Sequence, residues 1–474
     1  MSAKFQRDMT QGSVARHLIL FSMPFLAANL LQALYNMADM FFVGRYNGPV
    51  GASAVGAGGQ INNMMLQLIS GLAIGGTVLI AQLIGAKQID QLRKTVGTVF
   101  TLYCVMAFSL TAVMLVVNPF LVRLMADAAA YDATLEYVQI CTGGLFFIFG
   151  YNAVSAVLRG MGDSKHPLMF VLVAVVLNIG LDYVFCGWMH MGAKGAAWAT
   201  VVAQGVSFLL AAIFLRRSDF VFDFRPKSLR IDRKIALQLL RIGFPSSLGA
   251  TAVALSFMTL TGMAKSIRGL VGTTALSVTS KANSVGILPA VAMQASVSSM
   301  AGQNLGAGMP KRALRTSVTG IGITLAITLV VFILMQIFAD HVVAFFIGSG
   351  GQGLDVNTAQ ACLEESAAYL RAVSWDYLVV SIGFNISALA ISAGHTTYNL
   401  VVGLAGSILV RVPVAYLLAS SSLGLQGMGY AVPITTMVAM LSHLVYLGSG
   451  RWKHSKIIQR VAAEGSARQE LEKT

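Results

Sequence analysis

Charged side chains are scarce in this sequence, making up only 11% of its residues, whereas soluble globular proteins carry about 25%. That deficit excludes a chain whose surface is built for water. Cysteine is nearly absent too. Its four copies, Cys104, Cys141, Cys186 and Cys362, stand singly, with neither metal-ligand spacing nor a disulfide framework, and read as small apolar filler. Histidine occurs seven times, and the chain has no H-E-x-x-H, no G-x-S-x-G and no phosphate-binding glycine loop. A catalytic constellation is therefore not expected, and neither is a cofactor.

What fills the chain instead is apolar: 56% of 474 residues, with a mean hydropathy of +0.72. The apolar residues fall into blocks long enough to cross a bilayer as helices of roughly 20 residues. Spans are expected near 17–42, 53–83, 96–118, 134–158, 167–187, 195–215, 242–264, 270–303, 316–338, 367–390, 399–420 and 425–449. The first is too long for a cleaved signal. Trp188, Trp375 and Trp452 sit near span ends, where interfaces favour amphipathic rings.

A net charge of +14 invites a nucleic-acid reading, which the placement of the charges argues against. With the N-terminus in the cytoplasm, 25 of the 33 Lys and Arg fall on the cytoplasmic side and six on the other. That is the positive-inside bias of a multi-pass protein of the cell (inner or plasma) membrane, with both termini cytoplasmic.

The sequence also repeats itself. A shift of 221 residues lays Pro24 on Pro245, and Gln82, Gly85 and Ala86 on Gln303, Gly306 and Ala307. A shift of 232 lays Gly162, Gly192 and Gly195 on Gly394, Gly424 and Gly427. The expected fold is an all-α integral membrane protein of twelve transmembrane helices in two pseudo-symmetric six-helix lobes, 17–215 and 238–450. A cytoplasmic N-terminus (1–16), a basic linker (216–237) and a cytoplasmic tail (451–474) complete it. Because six is even, both copies enter from the same side. Glycine pairs such as Gly71-x-x-x-Gly75 and Gly302-x-x-x-Gly306 suit tight helix packing. Pro24, Pro245, Pro289 and Pro413 lie within spans, where each removes a backbone hydrogen bond and is expected to bend its helix.

Acids within spans are costly, at least about 2.5–3.5 kcal/mol each at the bilayer centre. Three stand there: Asp39, Asp182 and, near a span end, Asp376. Counted along the helices, Asp39, Asp182 and Thr200 all belong to the outer half of the membrane. Helical spacing extends the polar surface through Gln32 and Asn36 to Asp39, from Asn178 to Asp182, and from Thr200 to Gln204, with Asn152 on the fourth span facing the same half. Two carboxylates among amide and hydroxyl oxygens suit a hard monovalent cation, or a proton. At the matching second-lobe positions the repeat carries Leu260, Val410, Val414 and Val432, so the scaffold does without these polar groups. Two basic residues also lie in spans: Arg411, for which a carboxylate or carbonyl partner is expected, and Lys281, which lines a cavity or pairs with an acid.

The stretch Leu31-Gln-Ala-Leu-Tyr-Asn-Met-Ala-Asp39-Met-Phe-Phe-Val-Gly-Arg45 resembles the first helix of the MATE multidrug and toxin extruders. So do Ala81-Gln-Leu-Ile-Gly-Ala-Lys87, Leu158-Arg-Gly-Met-Gly-Asp163, Asn178-Ile-Gly-Leu-Asp182-Tyr and Arg411-Val-Pro-Val-Ala-Tyr416. The resemblance implies a V-shaped, two-lobed efflux antiporter of the DinF-like branch. By motif match the coupling cation would sit at Asp39, Asn178, Asp182 and Thr200, with Gln32, Tyr35 and Asn152 lining the adjoining drug cavity. The seventh span lacks the glutamate of the NorM-like branch, and Asp376 sits about a turn early for that branch's aspartate, so a second-lobe ion site is not implied. The expected function is export of small organic cations in exchange for Na⁺ or H⁺, by a monomer that binds no nucleic acid. A lipid-linked sugar flippase is the alternative, kept open by Lys281 and Arg411 and opposed by the first-lobe acids.

Overall fold

A computed structural model describes residues 8–126, 128–218, 220–225, 228–348 and 356–453, the side chains of Asn36, Pro49 and Val356 excepted. The N-terminal seven residues and most of the expected tail lie outside it. Among the described residues there is no strand. Ten helices are long and apolar enough to cross a membrane, or eleven when the bent pair Ala128–Gly143 and Leu145–Gly160 is taken as one span. One of the ten, Arg233–Gly286, runs for 54 residues, about 81 Å of helix and far more than a bilayer holds. Its backbone leaves the helical region at Gly269 (φ 56°, ψ −128°), and divided there it yields the twelfth span.

The spans are α1 (Val14–Gly48), α2 (Val50–Gly85), α3 (Ile89–Met125), the bent α4, α5 (Lys165–Trp188) and α6 (Ala193–Arg217). After them come α7 (233–268), α8 (270–286 with Leu288–Gly306), α9 (Pro310–Ile347), α10 (Asn357–Ser392), α11 (Thr396–Ala419) and α12 (Gly424–Gly448). Most overrun the apolar blocks at both ends, because a helix continues into the headgroup region wherever its polar flanks can follow. Side chains such as Phe108, Val116, Leu124, Leu409 and Val445 point outward, the orientation that lipid accepts and water does not.

The duplication is written in the backbone. Gly48 and Gly269, 221 residues apart, both take positive φ (66° and 56°) where α1 meets α2 and α7 meets α8. Gly162 and Gly394 (89° and 82°), and Gly192 and Gly424 (67° and 53°), do so at the 232-residue shift. Lys87 (57°) and Gly308 (70°) form a further 221-residue pair. Backbone dihedrals stay helical through Pro24 and Pro245, Pro289 stands second in the segment Leu288–Gly306, and Pro413 lies inside α11 just after a π-type stretch, Ala405–Arg411. At Pro289, in the first turn of its segment, the missing N–H costs little.

The chain forms two compact units, which divide chiefly between Ser247 and Leu248. In the first, α2 packs on the opening turns of α7. A Cβ at Gly71 would lie 2.0 Å from Ser247 Oγ, and one at Gly75 would lie 2.8 Å from the Leu239 carbonyl. Ser247 Oγ donates to Leu68 O at 2.9 Å. Gly71→Val is therefore expected to destabilise the protein by about 1–3 kcal/mol through overpacking, read as a lower melting midpoint in detergent.

The linker differs from the plain basic loop expected. Phe222 is buried, and Phe220 and Phe224 pack with Phe100, Phe170 and Phe214 of α3, α5 and α6. Arg93 Nε donates to Val221 O at 3.0 Å. Trp452 also departs from an interfacial ring: it is buried and donates Nε1 to Leu447 O at 3.0 Å. In the second unit, α9 and α10 are joined by polar contacts between small residues, Thr328 Oγ1 to Ser381 Oγ at 2.8 Å and Asn385 Nδ2 to Thr324 Oγ1 at 3.1 Å. Such contacts hold helices together where lipid gives no hydrophobic drive.

Candidate functional site

Apolar helices α1, α5 and α6 leave few polar groups to meet one another, and those few converge. Tyr35 and Asp39 lie one turn apart on α1, as do Asn178 and Asp182 on α5. Thr200 stands two turns into α6. All are enclosed: Asp39 is 4% exposed, Asn178 and Asp182 0%, Thr200 9% and Tyr35 6%. Tyr35 Oη donates to Thr200 Oγ1 at 2.8 Å, and the Tyr35 ring packs on Val171 and Val175 of α5. The Asp39 carboxyl faces Asp182, Asn178 and Thr200. Immediately after Asp182 the helix widens into a π-type turn, Tyr183–Trp188, a device often found beside functional groups.

What distinguishes the cluster is what its atoms lack. Asp39 Oδ1, both oxygens of Asp182, and both the oxygen and the nitrogen of the Asn178 amide are buried without a hydrogen-bond partner. Buried polar atoms are ordinarily satisfied, and an unpaired one costs about 1–3 kcal/mol. Two carboxyl groups facing each other away from water require a proton or a cation to share. The donor set is all oxygen apart from one amide nitrogen, which is the chemistry of a hard cation.

The remaining candidates divide. Gln32 and Gln204 are half-buried on α1 and α6, and the Asn36 side chain lies outside the described residues. Asn152 is half-buried and spends its amide N–H on its own helix, donating to Ile148 O at 2.9 Å. Three neighbours escaped the sequence reading. Tyr137 and Cys141, both of α4, lie within electrostatic reach of Asp39, and the Cys141 thiol neighbours Asn62 of α2. Cys141 is thus part of the wall and not mere filler. The signal for Asn62 was its amide inside a span, and for Tyr137 and Cys141 their one-turn spacing.

Among the described residues, the second unit assembles no comparable set. Asp376 is buried near Thr436 and within reach of Arg411, yet no ion pair joins the two among the described residues. Arg411 was expected to find a carboxylate or carbonyl. Instead Nη1 donates to Ser256 Oγ at 3.2 Å, and the guanidinium lies 4.7 Å from the centre of the Phe257 ring. A delocalised cation is stabilised by an aromatic face where a full ion pair would be costly to desolvate. Lys281 is exposed and pairs with no acid among the described residues, so structural pairing does not account for it.

Comparison with known proteins agrees with this architecture. The MatE family model matches residues 24–184 and 245–417. The chain is 28% identical over 454 residues to the probable multidrug resistance protein YpnP of Bacillus subtilis, covering 95% of this chain and 98% of that one. It superposes on the crystal structure of a MATE protein in complex with MaL6 with a TM-score of 0.87 at 26% identity, covering 95% and 98% of the two chains. A transporter of the MOP superfamily from Pyrococcus furiosus, described as having a binding pocket of reverse polarity that suggests a different function, also superposes with a TM-score of 0.87 at 26% identity, over 94% of this chain and 97% of that one.

Proposed function

The chain belongs to the MatE family of membrane transporters, and from that premise we propose that it is a multidrug efflux antiporter, exporting organic cations in exchange for Na⁺ or H⁺ bound by Asp39, Asn178, Asp182 and Thr200. The observation that carries the proposal is the cluster of unpaired oxygens on two facing carboxyl groups in the first unit. Relatives named as multidrug resistance proteins support the cargo class.

The ion enters the first-lobe site, and a lipophilic cation occupies the neighbouring surface of Gln32, Tyr35, Asn152 and Gln204, held by carboxylate charge and aromatic faces. Each lowers the affinity for the other, and by linkage the factor is the same in both directions. To reverse a two-state population from 99:1 to 1:99, the ion must favour one state by about 5.5 kcal/mol. The charge asymmetry of the loops supports a cell-membrane location with both termini cytoplasmic. The test is transport by purified protein in liposomes with Na⁺ and pH gradients imposed separately. Accumulation of a cationic dye driven by at least one gradient is expected, and dye movement indifferent to both would overturn the proposal.

A second reading is kept by Lys281, exposed and without an acid partner among the described residues, and by the reversed pocket polarity reported for the Pyrococcus furiosus transporter: a cargo bearing a diphosphate, as a lipid-linked sugar does. Binding of a lipid diphosphate in preference to a cationic dye, lost in Lys281→Gln, would establish it.

A further inference from the structure

At the end of the first unit assigned to the outside, a cavity of about 250 Å³ is lined by Asn47, Ala133, Glu136, Gly192, Ala193 and Lys194, among others. We infer that this cavity is the external entrance for the coupling cation, with Glu136 as the group that first binds it and Lys194 as the counter-charge it displaces. The inference rests on the antiport reading of Asp39 and Asp182.

Three helices carry it. Asn47 is eight residues beyond Asp39 on α1, Ala133 is eight before Cys141 on α4, and Ala193 is seven before Thr200 on α6. Residues seven or eight apart share a helix face and stand roughly 10–12 Å apart along it. On these three helices, therefore, the cavity wall continues the stripe that carries the ion site, two turns removed. Between them stand Val43, Tyr137, Ala196 and Ala197, all buried, a plug of apolar surface about one turn thick.

The cavity itself is made for handing over a cation. Asn47 Oδ1 is buried without a hydrogen-bond partner, an oxygen left available on the same stripe as Asp39. The turn before α6 closes directly on this residue: a Cβ at Gly192 (φ +67°) would fall 2.7 Å from Asn47 Nδ2. Glu136 and Lys194 are the charged groups on the wall, and their Oε1 and Nζ atoms lie 2.6 Å apart with both side chains about half-exposed (49% and 45%). A pair so wet contributes about 0–1 kcal/mol, too little to clamp α4 to α6 and little enough for an arriving cation to replace Lys194.

The test titrates external Na⁺, and separately external protons without Na⁺, against dye efflux from liposomes at low ionic strength. One charge about 4 Å from a cation in water changes its affinity about fivefold. Glu136→Gln is expected to raise the half-saturating concentration of the coupling cation by about that factor. Lys194→Gln is expected to lower it by a similar factor, since the carboxylate is freed. Opposite shifts are the signature, because breaking a structural clasp would move both variants the same way. Glu364→Gln, an exposed acid of the second unit, controls for general surface charge. Shifts in the same direction, or none, would overturn the entrance. Asp39→Asn assayed alongside separates the two levels: if that variant still exchanges, the antiport assignment is what has failed.

Discussion

Replacing Asp39 with Asn removes gradient-driven dye efflux, down at least about a hundredfold to the leak rate, while the protein still purifies folded. The arithmetic follows from coupling. A cation that must bias one state by several kcal/mol does so through its differential affinity for that state, and in the proposed mechanism Asp39 and Asp182 supply the counter-charge. An amide in place of one carboxylate removes that charge and also relieves a buried like-charge contact, so stability is expected to hold or rise. The sharper readout is equilibrium binding. In the parent protein the dye dissociation constant changes with Na⁺ or with pH, and in Asp39→Asn it becomes indifferent to both. Asp182→Asn behaves likewise, and the double variant is no worse than either single one, because two groups sharing one ion act as a unit. Ion-dependent dye binding that survives in Asp39→Asn would remove the assignment.

Phe222→Ala has the second large effect, on stability. The ring is 5% exposed and approaches Gly97 of α3 so closely that a Cβ there would lie 3.1 Å from it. It also meets Phe100 and Phe224, with ring centres 6.4 and 5.1 Å away. Truncating a buried Phe to Ala removes about 3–5 kcal/mol, and here the loss is expected as a markedly lower melting midpoint, whereas Leu229→Ala, an exposed residue of the same linker, stays near the parent value. Equal midpoints for the two variants would mean that the stripe is not docked.

Much of this molecule is legible in its sequence because lipid allows few solutions. Long apolar blocks become helices, since backbone polar groups have no other partner there, and the 221- and 232-residue shifts recover the positive-φ positions without any knowledge of them. The set Asp39, Asn178, Asp182 and Thr200 was readable because an acid in a span needs a reason. What stayed hidden depends on side-chain direction. Nothing in the run around Tyr137 says that α4 bends at Gly144 and turns that ring toward Asp39, and nothing beside Arg411 announces that Phe257, on a different helix, will lie under it. The packing of the linker went unread for a different reason. Its alternation Phe220-Val-Phe222-Asp-Phe224 stands in the open, but eight basic residues from Arg216 to Arg241 made the segment look wholly solvated.

The left-handed turn after α2 shows the cost of a second demand. Its duplicate after α8 meets the same backbone shape with Gly308, which has no Cβ to clash, whereas the first copy has Lys87 there at φ 57°. An L-residue with a long side chain in that region gives up about 1–2 kcal/mol. In the proposed topology the position belongs to a cytoplasmic loop, where a cation helps to fix orientation. On that topology, a charge that steers insertion is kept at this one residue at the expense of a more relaxed backbone.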